Sequence, residues 1–119
     1  MNISEIQLQA LRIPRGWEVI LNKFFDLEPS AELIIRGLPN DDGWLLFEQT
    51  LLNLRHQRTG IVLDLGWVPY LDPDGHFWLC LHRGDIFREQ IVELESRDKN
   101  EIVEKINDLL VQVSQGALD

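Results

Sequence analysis

The chain has 119 residues, of which 45% are hydrophobic, and a single domain with its own core accounts for this length and composition. Its net charge is −9, so nucleic acid and anionic membrane surfaces are disfavoured as partners, because phosphate binding requires clustered Lys and Arg. A basic protein partner is favoured instead. The acidity is uneven, with a net charge of −7 over residues 64–119 and −2 over residues 1–63.

The cysteine content and the apolar segments indicate the compartment. A lone cysteine, Cys80, excludes an internal disulfide and fits a reducing cytosol. The first residues lack the basic region and apolar run of a signal peptide. No apolar stretch approaches the roughly 20 residues that a membrane helix needs. We therefore expect a soluble, cytoplasmic protein.

The first segments of the chain predict an arm and a strand. Residues 3–11 alternate only in part between apolar and polar, so residues 1–15 predict either an ordered N-terminal arm or an edge strand. Pro14 and Gly16 interrupt this segment. Residues 17–27 then predict a strand with Trp17 on its apolar face.

Residues 31–56 carry an ambiguous segment and a predicted helix. Residues 33–35 are compatible with a short strand. The run Asn40-Asp41-Asp42 then resembles a helix start, because Asp caps helices and acids complement the positive helix end. Apolar residues at positions 44, 47, 51 and 54 recur at helical spacing. The pattern predicts a helix over residues 43–56.

A β-hairpin is the clearest feature of the second half. Residues 61–67 and 77–82 alternate at period two and flank Asp72-Pro73-Asp74-Gly75, in which each residue type favours a turn. A further strand is predicted over residues 90–95, with Val92 and Leu94 inward and Ile91 outward. A last helix is predicted over residues 98–114, with Asp98 as its N-cap and Glu101 placed for a capping box.

These elements predict the architecture. The order of one strand, a helix, three strands and a helix indicates the α+β class, here a single domain over residues 1–119 in which helices pack on one face of an antiparallel sheet.

No constellation of catalytic or metal-ligating residues is evident in the sequence. His76 and His82 share a strand face but lie roughly 20 Å apart along it, too far to bind one ion. We expect the three histidines to be exposed strand and turn residues. Cys80 is expected to be a buried structural thiol, although His82 on the same face permits a Cys–His pair. We expect a non-enzymatic protein without a metal or cofactor.

The candidate binding residues are one aromatic residue and a group of acids. Trp17, Trp44 and Trp67 fit a core, whereas Trp78 lies opposite Phe77 and Leu79 by period and is a possible exposed anchor. The concentration of acids is compatible with an ordinary solvated surface and with a functional one. The predicted partner-binding residues are Trp78, Asp85, Glu89, Glu93 and Glu95.

Several segments together resemble a family of small bacterial proteins. The matching residues are Gly16-Trp17, Asn22-Lys23-Phe24, Asp64-Leu65-Gly66-Trp67-Val68-Pro69, Asp72-Pro73-Asp74-Gly75 and Glu95-Ser96-Arg97-Asp98-Lys99-Asn100-Glu101-Ile102-Val103. They resemble the ribonuclease-toxin immunity group of contact-dependent growth inhibition immunity proteins and span most of residues 16–110. Residues 1–15 depart from that pattern.

The resemblance implies a cytoplasmic protein that binds a cognate nuclease toxin domain and blocks its active site. It transfers no binding residue, because such families vary their contact residues. The alternative reading is a non-catalytic regulatory or structural subunit that self-associates or binds another cytoplasmic protein.

Overall fold

An antiparallel sheet and one α-helix organise residues 1–84 and 89–118, which the computed structural model of the chain describes. The strands are β1 (Trp17–Asn22), β2 (Leu52–His56), β3 (Ile61–Val68), β4 (His76–Arg83) and β5 (Glu89–Ser96), and the helix α1 is Lys99–Ser114. Short 3-10 helices occupy Ile3–Glu5, Pro39–Asp41 and Gly43–Leu46. The predicted α+β class is confirmed.

The sheet is a meander in which each strand pairs with the next one along the chain, in the order β1-β2-β3-β4-β5. The pairing of β3 with β4, from Ile61 opposite Arg83 to Val68 opposite His76, confirms the predicted central hairpin.

The loop between β3 and β4 is held by hydrogen bonds to Asp72. The backbone N–H of Asp74 donates to Asp72 Oδ1 at 2.8 Å, as the turn sequence predicts. The Trp67 indole N–H donates to the Asp72 carbonyl at 2.7 Å. A Cβ on Gly75 would lie 2.5 Å from Trp67 Nε1, so only glycine fits against this ring.

The predicted helix over residues 43–56 is wrong. Asp42 does cap a helix, with its Oδ1 accepting from the Trp44 backbone N–H at 3.0 Å, but this helix is the 3-10 segment Gly43–Leu46. Residues 52–56 instead form β2, between β1 and β3.

The sequence of β2 fits two periods at once. Leu51 and Leu54 fit a helical stripe, but Leu52, Leu54 and His56 also alternate with less buried Asn53 and exposed Arg55. Both patterns bury Leu54, and the two leucines Leu51 and Leu52 make either period possible. The strand prevails because it pairs on both sides, which satisfies its backbone donors and acceptors.

Helix α1 packs on one face of the sheet. Its stripe of Ile102, Ile106, Leu109, Leu110 and Val113 is buried. The Trp17 indole N–H donates to the Leu110 carbonyl at 3.2 Å, which ties β1 to the end of the helix. Asp98 caps the first turn as predicted, but its own N–H donates to Ser96 Oγ at 3.0 Å, not to Glu101.

Residues 1–15 form an ordered arm and not an edge strand of the sheet. The Gln9 N–H donates to the Phe24 carbonyl, and the Arg12 N–H donates to Asn107 Oδ1 on α1. Lys99, only 4% exposed, fixes this arm by donating to Gln9 Oε1 at 2.7 Å and to Asp26.

Strand β5 departs from simple alternation. A bulge between Leu81 and His82 of β4 leaves Ile91 as an extra residue on β5. Ile91, predicted to face outward, therefore packs against the core together with Val92 and Leu94.

Candidate functional site

The face of the sheet opposite the hydrophobic core, here called the second face, carries three of the five predicted binding residues. On β3 to β5 this face comprises Val62, Asp64, Gly66, Val68, His76, Trp78, Cys80, His82, Gln90, Glu93 and Glu95, which alternation and cross-strand pairing place side by side. Three of these described residues are acids and none is Lys or Arg.

The second face is buried at one end and accessible at the other. Val62, Cys80 and His82 are buried, whereas Val68 is 39% exposed and Glu93 and Glu95 are exposed. Along β3 and β4 the accessible end therefore carries Val68 and Trp78, and Glu93 and Glu95 lie beside it on β5. Gln90, opposite His82, is also exposed.

Trp78 lies beside two carboxylates of β5. Its indole N–H donates to Glu93 Oε1 at 2.9 Å, and Glu95 lies directly opposite on β5. His76 Nε2 lies 3.6 Å from Glu95 Oε2. The structure thus brings Trp78, Glu93 and Glu95 together into one surface. The Trp78 ring is half-buried, and its position is fixed by the bond to Glu93.

The other two predicted binding residues do not join this surface. Glu89 lies at the far end of β5, opposite Arg83, whose Nε is 3.8 Å from Glu89 Oε2. Glu95 lies six positions after Glu89 along the strand, a distance of about 20 Å. Asp85 lies outside the described residues.

A groove of about 230 Å³ opens on the second face beside Trp78. It is lined by Gln49, Thr50, Asp64, Leu65, Gly66, Val68 and Trp78. One wall is the segment before β2, which runs along β3 because the Leu51 N–H donates to the Leu65 carbonyl and the Trp67 N–H to the Glu48 carbonyl.

Gly66 makes this groove possible. The carbonyl oxygen of Gln49 approaches so closely that a Cβ on residue 66 would lie 1.9 Å from it. The groove is not among the sequence-based predictions, although a glycine inside a strand is a recognised signal of close approach by another backbone.

Asp64 and His82 form a largely buried pair across β3 and β4. His82 Nε2 lies 2.7 Å from Asp64 Oδ2, and His82 Nδ1 lies 2.9 Å from the Gly84 carbonyl. Asn53 donates to Asp64 Oδ1 from β2. A general base needs a ring nitrogen directed at its substrate, whereas both nitrogens of His82 are engaged within the protein.

The prediction that the histidines are exposed is wrong for two of them. His82 is 2% exposed and His56 is 4% exposed. His56 packs against the Trp17 ring, with centroids 5.0 Å apart, and its Nδ1 lies 2.9 Å from Thr59 Oγ1. Each buried histidine therefore has a polar partner, as burial requires.

Cys80 is a buried thiol that lies between acids. Burial raises the pKa of Cys80, the hydrogen bond from Gln90 Nε2 opposes this, and the negative charges of Asp64 and Glu93 raise it further. Because the thiolate is the nucleophilic form, the arrangement keeps Cys80 protonated and unreactive. His82 is engaged elsewhere, so no Cys–His pair forms.

Among the described residues, no group of three or more His, Cys, Asp or Glu side chains is placed to hold a metal ion. Within the same residues, no helix is long and apolar enough to cross a membrane. Comparison of the chain with protein-family models, with curated proteins and with solved structures gives no match.

Proposed function

We propose that this protein is a cytoplasmic immunity protein that binds a basic nuclease toxin domain and blocks its active site. The observation that carries the proposal is the accessible end of the second face, where Trp78 lies beside Glu93 and Glu95. Interfaces concentrate their binding energy in a few central residues, among which Trp is enriched. A Trp that is held in place beside two carboxylates is suited to contact a basic protein surface.

Inhibition by such a surface requires no chemistry from the inhibitor. A nuclease binds the phosphates of its substrate with Lys and Arg, and the same groups donate charge-assisted hydrogen bonds to carboxylates. Glu93 and Glu95 would occupy phosphate positions and exclude the nucleic acid. The net charge of −9 would also steer a basic partner toward the complex.

Two further observations support a binding role. Cys80 and His82, the residues of the second face with the strongest capacity for catalysis, are buried and engaged within the protein. The resemblance to ribonuclease-toxin immunity proteins over residues 16–110 points to the same function.

A self-associating subunit is the second candidate, because β1 is an edge strand with exposed apolar residues. Val19 is 48% and Ile20 is 54% exposed. However, the pairing of β1 with β2 is irregular between Val19 and Leu21, and bulges hinder the addition of a further strand at an edge. This feature favours the immunity function over self-association.

The test is to coexpress the tagged protein with the product of the gene immediately upstream, where an immunity protein's toxin is usually encoded. We expect copurification and loss of the toxin's RNA cleavage when the two are mixed in equal amounts. If the upstream product neither binds nor is inhibited, the proposal fails. A dimer in sedimentation equilibrium would then support the self-associating subunit.

A further inference from the structure

We infer that the groove beside Trp78 receives one arginine side chain of the protein partner. The inference rests on the proposed function for the existence of a basic partner, and it adds which residue of that partner enters and where. It concerns the groove lined by Gly66, Val68, Asp64 and Trp78, opposite the segment at Gln49 and Thr50.

The size of the groove favours a side chain over a small molecule. Its volume of about 230 Å³ lies below the roughly 300–1,000 Å³ of pockets that enclose drug-sized ligands. At Gly66, which pairs with Trp78, backbone and not a side chain bounds the groove, because the Gln49 carbonyl oxygen lies 1.9 Å from the position that a Cβ would take.

Two residues that line the groove, Trp78 and Asp64, both favour a cation. The indole of Trp78 lines the groove, and the π system of an indole attracts a guanidinium more effectively than an ammonium because the guanidinium is planar and weakly hydrated. The bond from its N–H to Glu93 Oε1 at 2.9 Å holds the ring in place before a partner arrives.

Asp64 supplies an acceptor in the groove lining. Its side chain is 18% exposed, and its two oxygens each have one partner, Asn53 and His82. An ionised carboxylate offers about four lone-pair sites, so Asp64 can still accept hydrogen bonds from an entering guanidinium. The bonds from Asn53 and His82 fix its orientation, which lowers the entropic cost of binding.

The charges around the groove also favour an arginine side chain. Glu93 and Glu95 lie beside Trp78 on β5, and no Lys or Arg belongs to the described lining. An anion would therefore meet charge of its own sign, whereas arginine would meet opposite charge, an aromatic ring and an acceptor. Arg is also among the residues enriched at interface hot spots.

The test uses a short peptide and requires no toxin. The probe is acetyl-Gly-Arg-Gly-amide, compared with the same peptide containing citrulline, which is neutral and of similar shape, or lysine. The readout is the indole N–H signal of Trp78 in NMR spectra, identified by its loss in Trp78→Phe. The buried Trp17, Trp44 and Trp67 serve as internal references.

We expect the arginine peptide to shift the Trp78 signal in a saturable manner, with binding of the citrulline peptide roughly tenfold weaker. The lysine peptide should be intermediate. Val68→Lys, which places a cation at the exposed edge of the groove, should abolish the shift. Ile20→Lys, the same kind of change at an exposed residue of β1, should leave it intact.

Equal shifts by arginine and citrulline peptides, or an unchanged response in Val68→Lys, would overturn the inference. Its failure can be separated from that of the proposed function. If the upstream product binds Val68→Lys as tightly as the unmodified protein, the groove is not its anchor although the immunity function stands. If the arginine peptide binds and the upstream product does not, the groove is supported and that toxin is rejected.

Discussion

Trp67 and Trp78 lie on neighbouring strands and face opposite sides of the sheet. Trp67 is fully buried, with Phe77 and Phe47 rings at centroid distances of 5.0 and 4.8 Å. The guanidinium carbon of Arg97 lies 5.4 Å from the Trp67 ring. Trp67 therefore joins the hydrophobic core to the loop between β3 and β4.

We predict that Trp67→Ala lowers the free energy of unfolding by about 3–5 kcal/mol, since it empties a large buried site. Trp78→Ala, the same change on the half-buried second face, should cost clearly less. Urea denaturation of both variants measures the difference. A loss below about 1 kcal/mol for Trp67→Ala would show that the Trp67 ring is not part of the core. Equal losses for the two variants would contradict the difference in burial between Trp67 and Trp78.

Cys80 gives a second prediction at the level of one residue. Because the pKa of its thiol is raised in the folded protein, the neutral thiol contributes stability that is lost as the pH rises through the native pKa. We expect slow alkylation by iodoacetamide at pH 8 in native protein and rapid alkylation in urea. Cys80→Ala should lose less stability than the unmodified protein between pH 8 and pH 10. Rapid native alkylation would contradict the buried, protonated thiol.

The sequence predicts which face each tryptophan occupies, but not how the polar residues pair. Strict alternation along β3 and β4 suffices to place Trp67 and Trp78 on opposite faces. The contact between Asp64 and His82 depends on the register between two strands, so the pair remained unpredicted. The burial of His82 follows from that pairing and not from residue type.

The elements differ in how firmly their own residues determine them. Helix α1 was predicted within one residue, because its cap at Asp98 and its apolar stripe agree. Strand β2 was not predicted, because the leucines at positions 51–54 fit a helical period and a strand period equally. Only pairing with β1 and β3 decides between helix and strand. The arm at residues 1–15 likewise depends on contacts with distant residues.

Lys99 joins three elements, and its environment is asymmetric. Its side chain is 5% exposed, whereas those of its partners Asp26 and Glu28 are 61% and 65% exposed. Removal of the lysine leaves two acids that water can solvate. Removal of the acids leaves a buried ammonium group, and an uncompensated buried charge is costly.

We therefore predict that Asp26→Ala combined with Glu28→Ala costs about 3 kcal/mol, the low end for breaking a buried ion pair, because Gln9 still bonds the ammonium group. Lys99→Met, which conserves volume, should cost less than about 1.5 kcal/mol. Denaturant melts of the two variants provide the comparison. A larger loss for Lys99→Met would mean that the ion pair itself stabilises the arm.

Across the whole molecule, the acidity and the shape of the second face have separate origins. The net charge of −9 and its concentration after residue 63 follow from composition alone. The groove does not, because it exists only where the chain at Gln49 crosses Gly66. The immunity function that we propose uses the acidity for encounter with a basic toxin, and the arginine contact that we infer uses the groove.

The central claim about the molecule is that the position of the acids, and not only their number, determines binding of the toxin. Glu93→Gln with Glu95→Gln removes two charges beside Trp78. Glu104→Gln with Asp108→Asn removes two charges from exposed positions on α1. The two variants have the same net charge, so any difference between them reports location.

The most direct test is the association rate of these two variants and the unmodified protein with the toxin at about 20 mM and about 200 mM salt. We predict a rate of ~10⁸ M⁻¹s⁻¹ or more for the unmodified protein at low salt, falling as salt is added. The Glu93/Glu95 variant should associate more slowly and depend less on salt, whereas the Glu104/Asp108 variant should resemble the unmodified protein. Identical rates for the two variants, or rates insensitive to salt, would contradict binding through the acidic second face.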